Sequence, residues 1–325
     1  MTEILALAAA NLLTPMILSF ALGLAAALAR SDLSVPEAAA KAMSLYLLFS
    51  IGFKGGVAVS GYGPDLRLGA ALVAGVALSA ALPLVAFPLL GALTRLSATD
   101  RAAVAAHYGS ISIVTFVTAT SVLADRGIAA EGYMVAVAAA MEAPAIVSAL
   151  WLVARAGGGA RMDAGLWREI LLNGSIVLLV GAFLIGAATG EDGKARIDAF
   201  ITAPFQGVLC LFLLDMGLVA GRGLRQGRGS LAAGVLAFGV AMPVIGAAAG
   251  LGTALALGLS PGGVALMMTL GASASYIAVP AAMRVALPEA NPSVYLTLSL
   301  GVTFPFNLVV GIPAYVAVAL ALAGG

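Results

Sequence analysis

Ten long apolar runs restrict this chain to the folds that are available to membrane proteins. The chain has 325 residues, of which 62% are hydrophobic and 10% are charged. A membrane-spanning helix needs about 20 apolar residues, so the roughly 200 apolar positions fill about ten spans. The runs cover residues 4–28, 38–60, 66–94, 102–123, 132–154, 169–189, 198–220, 230–258, 261–285 and 292–323. We therefore predict an all-α polytopic membrane protein with ten transmembrane helices.

Composition and motifs exclude several other classes of protein. A net charge of +1 leaves no basic face for nucleic acid. One cysteine, Cys210, excludes an internal disulfide, and one histidine, His107, leaves too few ligands for a zinc site. The sequence has no Gly-rich phosphate loop followed by Lys and Ser or Thr, so nothing in it indicates an ATPase. Since no paired Asp, Ser–His dyad or metal cluster lies in the apolar runs, we expect no enzymatic activity and no cofactor.

Lys and Arg lie mostly on one side of the predicted spans. Of the 16, eleven lie in or beside the loops after odd-numbered spans and four lie in the opposite loops. The remaining one, Lys54, lies within a span. Cytoplasmic loops are enriched in Lys and Arg. The bias therefore predicts that the odd-numbered loops are cytoplasmic and that both termini lie outside, on the periplasmic side of a bacterial inner membrane.

The two halves of the chain resemble each other at a nearly constant spacing. The matched positions are Gly56 and Gly217 (161 apart), Asn11 and Asn173 (162), Ser112 and Ser275 (163), and Pro144 and Pro305 (161). Each half holds five predicted spans, so the second half enters the membrane from the opposite side. Such inverted repeats are typical of secondary transporters. We predict a first repeat over 1–155, a short cytoplasmic linker over 156–167, and a second, inverted repeat over 168–325.

The fourth and ninth predicted spans carry polar residues at bilayer depth. A Gly-Ser stretch lets a helix break and start again, and the freed N–H groups at a helix start bind anions. Alternatively, the hydroxyls bond back to their own helix and allow close helix packing. Because the two stretches occupy matched repeat positions, we predict broken fourth and ninth helices. The predicted substrate-binding residues are Gly109, Ser110, Ser112, Gly271, Ser273 and Ser275, with a possible Na⁺ site at Ser112, Thr115 and Ser275.

Three ionisable residues within the spans are candidates for coupling transport to an ion, together with Thr115. A charge at the membrane centre costs roughly 2.5–3.5 kcal/mol, so it usually finds a partner or a cavity. Lys54 and Asp215 are 161 positions apart and therefore matched in the repeat. We hypothesise that they form an ion pair, either as a fixed strut or as a switch. Glu142 could bind Na⁺ or a proton, or could be a hydrogen-bonded carboxylate without a role in transport.

Several motifs resemble those of the sodium-dependent bicarbonate permeases, in a non-cyanobacterial branch. They are Gly55-Gly56-Val57-Ala58, the segment 109–115, Ser273-Ala274-Ser275-Tyr276-Ile277-Ala278-Val279-Pro280, Arg284 and Pro288-Glu289-Ala290-Asn291-Pro292-Ser293. The resemblance implies a ten-helix, five-plus-five inverted repeat, often trimeric, that takes up bicarbonate with Na⁺. It also implies that the anion is held by backbone amides and hydroxyls at Gly109, Ser112, Thr115, Ser273 and Ser275.

This chain differs from the cyanobacterial members of that family at informative positions. Those members have an Asp associated with sodium where this chain has Tyr276, and a Ser in place of Ala274. Lys54 and Asp215 stand where those members carry uncharged residues. The short linker of about a dozen residues argues against regulation by a PII-like nucleotide-binding trimer.

The expected function is secondary transport of a small anion, with bicarbonate and Na⁺ as the first choice, by alternating access of one helix bundle against another. Two alternatives remain open at this point. One is a carrier of a small organic carboxylate, since the same helix starts suit any carboxylate. The other is a membrane scaffold or receptor that does not transport.

Overall fold

The chain is helical throughout the part that the structure describes. The computed structural model describes residues 14–60, 66–142, 144–156, 168, 172, 174–226, 233–276 and 278–323, and all regular secondary structure in them is helical. The all-helical class predicted from the apolar runs is therefore confirmed. Asn11, Asn173 and residues 157–167 of the predicted linker lie outside the described residues.

The helices follow the predicted apolar runs. Three of these runs, over 102–123, 132–154 and 261–285, are interrupted near their middle, at residues 110–112, 141–142 and 273–276. The last run holds two π-helical segments, Ser299–Thr303 and Asn307–Gly311. In chain order the helices are α1 Pro15–Leu28, α2 Glu37–Ser60, α3 Leu66–Leu93, α4 Ala98–Gly109, α5 Ile113–Asp125, α6 Met134–Ala140, α7 Pro144–Arg155, α8 Gly174–Ile201, α9 Phe205–Gln226, α10 Ala233–Ala256, α11 Pro261–Ala272, α12 Ala278–Ala286, α13 Pro292–Leu298, α14 Phe304–Phe306 and α15 Ile312–Ala323.

Among the described residues, seven helical stretches are long and apolar enough to cross a membrane. They are α2, α3, α4 with α5, α6 with α7, α9, α10 and the stretch from α13 to α15. The apolar helices α1 and α11 are shorter. Helix α8 is kinked at Gly190, whose φ of 58° is a left-handed conformation that glycine adopts without steric cost. These features make the chain a multi-pass membrane protein.

Helices α1, α2, α8 and α9 form a first bundle, in which α1 packs on α9 and α2 packs on α8. Glycines allow the backbones to touch, because a Cβ on Gly217 would collide with the Phe20 carbonyl and one on Gly56 with the Phe183 carbonyl. Small residues at the interface are how membrane helices approach closely without a hydrophobic driving force. The two contacts are counterparts: Gly56 and Gly217 are 161 positions apart, and Phe20 and Phe183 are 163 apart.

The remaining helices form a second bundle that contains the three interrupted runs. Helix α3 packs against α4 and α7, while α10 packs against α11 and α4 lies beside α7. Local caps define where the polar-lined helices begin. The Ser97 side chain accepts from the Asp100 N–H at the start of α4, and the Ser260 side chain accepts from the Gly263 N–H at the start of α11. Such caps satisfy N–H groups that the helix itself cannot.

Candidate functional site: two helix breaks held face to face

The first break lies between α4 and α5, at the position predicted from the Gly-Ser pattern. Helix α4 ends at Gly109, and Ser110 and Ser112 adopt extended backbone conformations. Helix α5 restarts at Ile113 with Ser112 as its cap, because the Ser112 Oγ accepts from the Thr115 N–H at 3.2 Å and from the Thr115 Oγ1–H at 2.8 Å. A new helix start thus lies deep in the second bundle, with a serine side chain as its cap.

The second break lies between α11 and α12 and repeats the geometry of the first. Helix α11 ends at Ala272, and Ser273 has φ −82° and ψ 160°. The corresponding Ser110, 163 positions earlier, has φ −83° and ψ 153°. The same exit conformation at both positions shows that the two segments leave their helices in the same way.

Hydrogen bonds join the two breaks directly. The Ser275 N–H donates to the His107 carbonyl oxygen at 2.7 Å. The Ser112 N–H donates to the Ser273 Oγ at 2.9 Å, and the Ser273 hydroxyl in turn donates to the Leu270 carbonyl at 3.0 Å. The predicted residues Ser112, Ser273 and Ser275 are therefore neighbours, although up to 163 positions separate them in the chain.

The polar residues of the breaks are enclosed. Their exposed fractions are 0% for Ser110, 3% for Ser112, 1% for Thr115, 1% for Ser273 and 2% for Ser275. On the side of the first bundle, the start of α5 is covered by apolar side chains. A cavity of only about 10 Å³ remains between Leu47, Phe212 and the first residues of α5. Within the described residues, the polar side chains of the two breaks are therefore shielded from solvent.

The two predicted glycines pack helices together. A Cβ on Gly109 would lie 2.6 Å from atoms of Pro83 and Ala145. A Cβ on Gly271 would collide with the Gly246 carbonyl. Gly109 therefore allows α4 to pack closely on α3 and α7, and Gly271 allows α11 to pack closely on α10.

Glu142 is buried beside the first break. It lies in the turn between α6 and α7 and is 4% exposed. The Ser110 hydroxyl donates to its Oε2 at 3.4 Å, and within the described residues no Lys or Arg forms an ion pair with it. A carboxylate buried without a cationic partner is costly when ionised, so Glu142 is suited to hold a proton or a cation.

The hypothesised ion pair between Lys54 and Asp215 is wrong for this structure. The Lys54 Nζ lies 4.7 Å from the centroid of the Phe205 ring, and the nearby acidic charge is that of Asp198. Phe205 and Asp215 are both in α9, ten residues apart, so about 15 Å of helix separates them. Asp215 instead experiences the charge of Arg222, further along the same helix.

The last predicted span supplies residues that sequence patterns did not indicate as part of the site. The Asn307 side chain donates to the Ala272 carbonyl, the last of α11, at 2.9 Å, and accepts from the Tyr315 hydroxyl. The hydroxyls of Tyr108 and Thr303 also form a hydrogen bond, which ties α4 to the same span. Asn307 and Thr303 lie in the π-helical segments, a geometry that is frequent at functional sites.

Two crevices lie between the bundles, with volumes of about 380 Å³ and about 340 Å³. The larger lies where α2 ends and α3 begins, and the smaller where α9 ends and α13 begins. Each has one arginine in its wall, Arg67 or Arg222. Part of each lining is related by the spacing between the two halves of the chain. Ala58 and Val59 lie 161 positions before Val219 and Ala220, and Glu131 and Gly132 lie 161 positions before Pro292 and Ser293.

These features define a class: a multi-pass helical membrane protein with a closed polar centre between two broken helices. The sequence model of the Na⁺-dependent bicarbonate transporter superfamily matches residues 15–320. The chain belongs to this superfamily, as its motifs predicted. No curated protein matches the chain significantly.

Proposed function

We propose that this chain is a secondary active transporter that takes up bicarbonate together with Na⁺ by alternating access. The observation that carries the proposal is the pair of hydrogen bonds that hold the two helix breaks face to face. Helix starts favour anions, and the start of α5 lies at this buried polar centre beside the second break. Membership of the Na⁺-dependent bicarbonate transporter superfamily supports the choice of substrate and coupling ion.

We propose that the architecture is a ten-span inverted repeat. Support comes from reciprocal packing in the first bundle. A Cβ on Gly23 would collide with the Leu214 carbonyl, and one on Gly186 with the Phe53 carbonyl. Gly23 and Gly186 are 163 positions apart, and Phe53 and Leu214 are 161 apart. A ten-span arrangement with this Lys and Arg bias would have both termini on the periplasmic side of a bacterial inner membrane.

Movement of the second bundle against the first would expose the breaks to each side in turn. The two matched crevices support this mechanism, because in a ten-span inverted repeat they open on opposite faces. The arginine in each wall suits an entering anion. The Gln206 amide, which donates to Ser121 Oγ at 2.7 Å and to Asp125 Oδ1 at 3.3 Å, joins the bundles in the present state and must release as they move.

For the bound anion, the candidate donors are the N–H groups at the start of α5 and the hydroxyls of the two breaks. Glu142 is the candidate coupling group, since a cation bound there would neutralise its charge beside the anion. Ser112 and Thr115 are less free to hold Na⁺ in this state, because the Ser112 Oγ already accepts two hydrogen bonds.

The test is uptake of labelled bicarbonate into proteoliposomes that contain the purified chain, with and without an inward Na⁺ gradient. Uptake that requires the gradient supports the proposal. Uptake that does not depend on Na⁺ overturns Na⁺ as the coupling ion but leaves bicarbonate as the substrate. Absence of uptake under both conditions overturns bicarbonate as the substrate.

A further inference from the structure

Tyr276 lies in the second break, two residues before α12 begins, and its hydroxyl is buried without a partner. The residue is 8% exposed, and its ring packs edge-on against Phe304 with the centroids 5.5 Å apart. The hydroxyl lies beside the Ser112 side chain. Within the described residues, no atom meets hydrogen-bond geometry with the Tyr276 Oη. Buried hydroxyls without partners are rare in folded proteins and ask for an explanation.

The hydrogen bonds of the first break determine what the Tyr276 hydroxyl can do. The Ser112 Oγ accepts from both the N–H and the Oγ1–H of Thr115, which uses both of its acceptor positions. The Ser112 hydroxyl therefore has no acceptor position left for the Tyr276 O–H. The Tyr276 hydroxyl, which has no partner among the described residues, stays free to donate.

We infer that the Tyr276 hydroxyl donates directly to the bound anion and is a determinant of specificity for small oxyanions such as bicarbonate. This inference rests on the proposed anion site between the breaks. A cation could not satisfy the Tyr276 hydrogen, whereas an oxyanion does.

Phe304 fixes the position of the phenol. Its ring also packs edge-on against Phe20 of the first bundle, with the centroids 5.4 Å apart. The Tyr276 hydroxyl is therefore held at the break by an aromatic contact that continues to the other bundle. A donor held in place before the ligand arrives costs little further ordering on binding.

The experiment compares Tyr276→Phe with the wild type in two measurements. One is the rise in unfolding temperature of the detergent-purified protein on addition of bicarbonate, formate, acetate or nitrate. The other is the KM for bicarbonate uptake. The matched control is Tyr46→Phe, which removes a hydroxyl that donates to the Phe200 carbonyl at 2.6 Å within the first bundle. A hydrogen bond to a charged group is worth enough that Tyr276→Phe should weaken anion binding roughly tenfold, while Tyr46→Phe leaves it unchanged.

A second variant, Tyr276→Asp, tests the sign of the interaction. A carboxylate at this position repels an anion, so we expect binding to be lost without Na⁺ and to return in part when Na⁺ is added. Binding of the Asp variant equal to wild type in the absence of Na⁺ would overturn the inference. So would equal stabilisation of wild type and Tyr276→Phe by the anion that stabilises wild type best.

These outcomes separate the inference from the proposed function. If wild type neither binds nor transports bicarbonate but another anion stabilises it, the proposed substrate fails. The inference then stands only if Tyr276→Phe weakens binding of that other anion. If no anion in the set stabilises wild type, both fail.

Discussion

The Ser275 N–H donates to the His107 carbonyl at 2.7 Å, and this bond joins two helices that the chain separates by more than 160 residues. Its counterpart in the repeat would run from the Ser112 N–H to the Leu270 carbonyl. There the Ser273 hydroxyl is inserted, accepting from Ser112 and donating to Leu270. The two breaks are thus joined by a direct bond on one side and by a serine relay on the other.

Removing the relay should destabilise the protein. In Ser273→Ala the Ser112 N–H loses its acceptor in a buried place, which costs about 1–3 kcal/mol. We expect a lower unfolding temperature and weaker anion binding. The control is Thr120→Val, which removes a hydroxyl that bonds back only to the Phe116 carbonyl of its own helix. If both variants unfold at the same temperature, the relay contributes nothing to stability.

The glycine contacts of the first bundle should be equally sensitive in both halves. Gly56→Ala and Gly217→Ala each push a methyl group into a facing backbone carbonyl, and overpacking of this kind typically costs 1–3 kcal/mol. Gly69→Ala is the control, because nothing lies within 4 Å of the Cβ added there. Thermal unfolding in detergent measures all three. A stable variant at one position and an unstable one at the other would argue against reciprocal packing.

Glu142 should control the dependence of uptake on the coupling ion. Glu142→Gln keeps the shape and the partner Ser110 but removes the charge, so the Na⁺ gradient should no longer drive bicarbonate uptake. Glu191→Gln is the control, because Glu191 forms only an exposed ion pair with Lys194 at 3.2 Å. The measurement is the initial rate of uptake as a function of Na⁺ concentration. An unchanged Na⁺ dependence in Glu142→Gln would remove this residue from the mechanism.

Lys54 and Asp215 should behave as independent sites. Since about 15 Å of helix separates Asp215 from the Phe205 ring that Lys54 contacts, their effects on stability should add within about 0.5 kcal/mol. A double-mutant cycle with Lys54→Met and Asp215→Asn measures this. An interaction energy well above that value would reveal an ion pair in another state of the protein.

The all-helical class and the positions of the two breaks could be predicted from sequence. Length and apolar composition decide the first, because a lipid environment requires every backbone group to bond internally. The second follows from Gly109 and Ser110 and from Gly271 and Ser273, which interrupt apolar runs where a helix would otherwise continue. Superfamily membership was also visible in the motifs around Ser275.

The contacts of the site could not be predicted in the same way. Asn307 is an isolated polar residue in an apolar run, and only the π-helical geometry turns it toward the Ala272 carbonyl. The hypothesised Lys54–Asp215 pair was wrong because equal positions in the two halves need not be neighbours in space. Lys54 lies against Phe205 at the start of α9, whereas Asp215 lies near the middle of that helix.

The most direct test of the account is gradient-driven uptake by variants of the two breaks. Wild type, Ser112→Ala and Ser275→Ala are reconstituted at equal protein content, and the initial rate of labelled bicarbonate uptake is measured with an inward Na⁺ gradient. The account predicts uptake by wild type and a loss of at least about tenfold in each variant, since each removes a hydroxyl from the proposed anion site. Full activity in both folded variants would contradict the claim that the two helix breaks hold the transported anion.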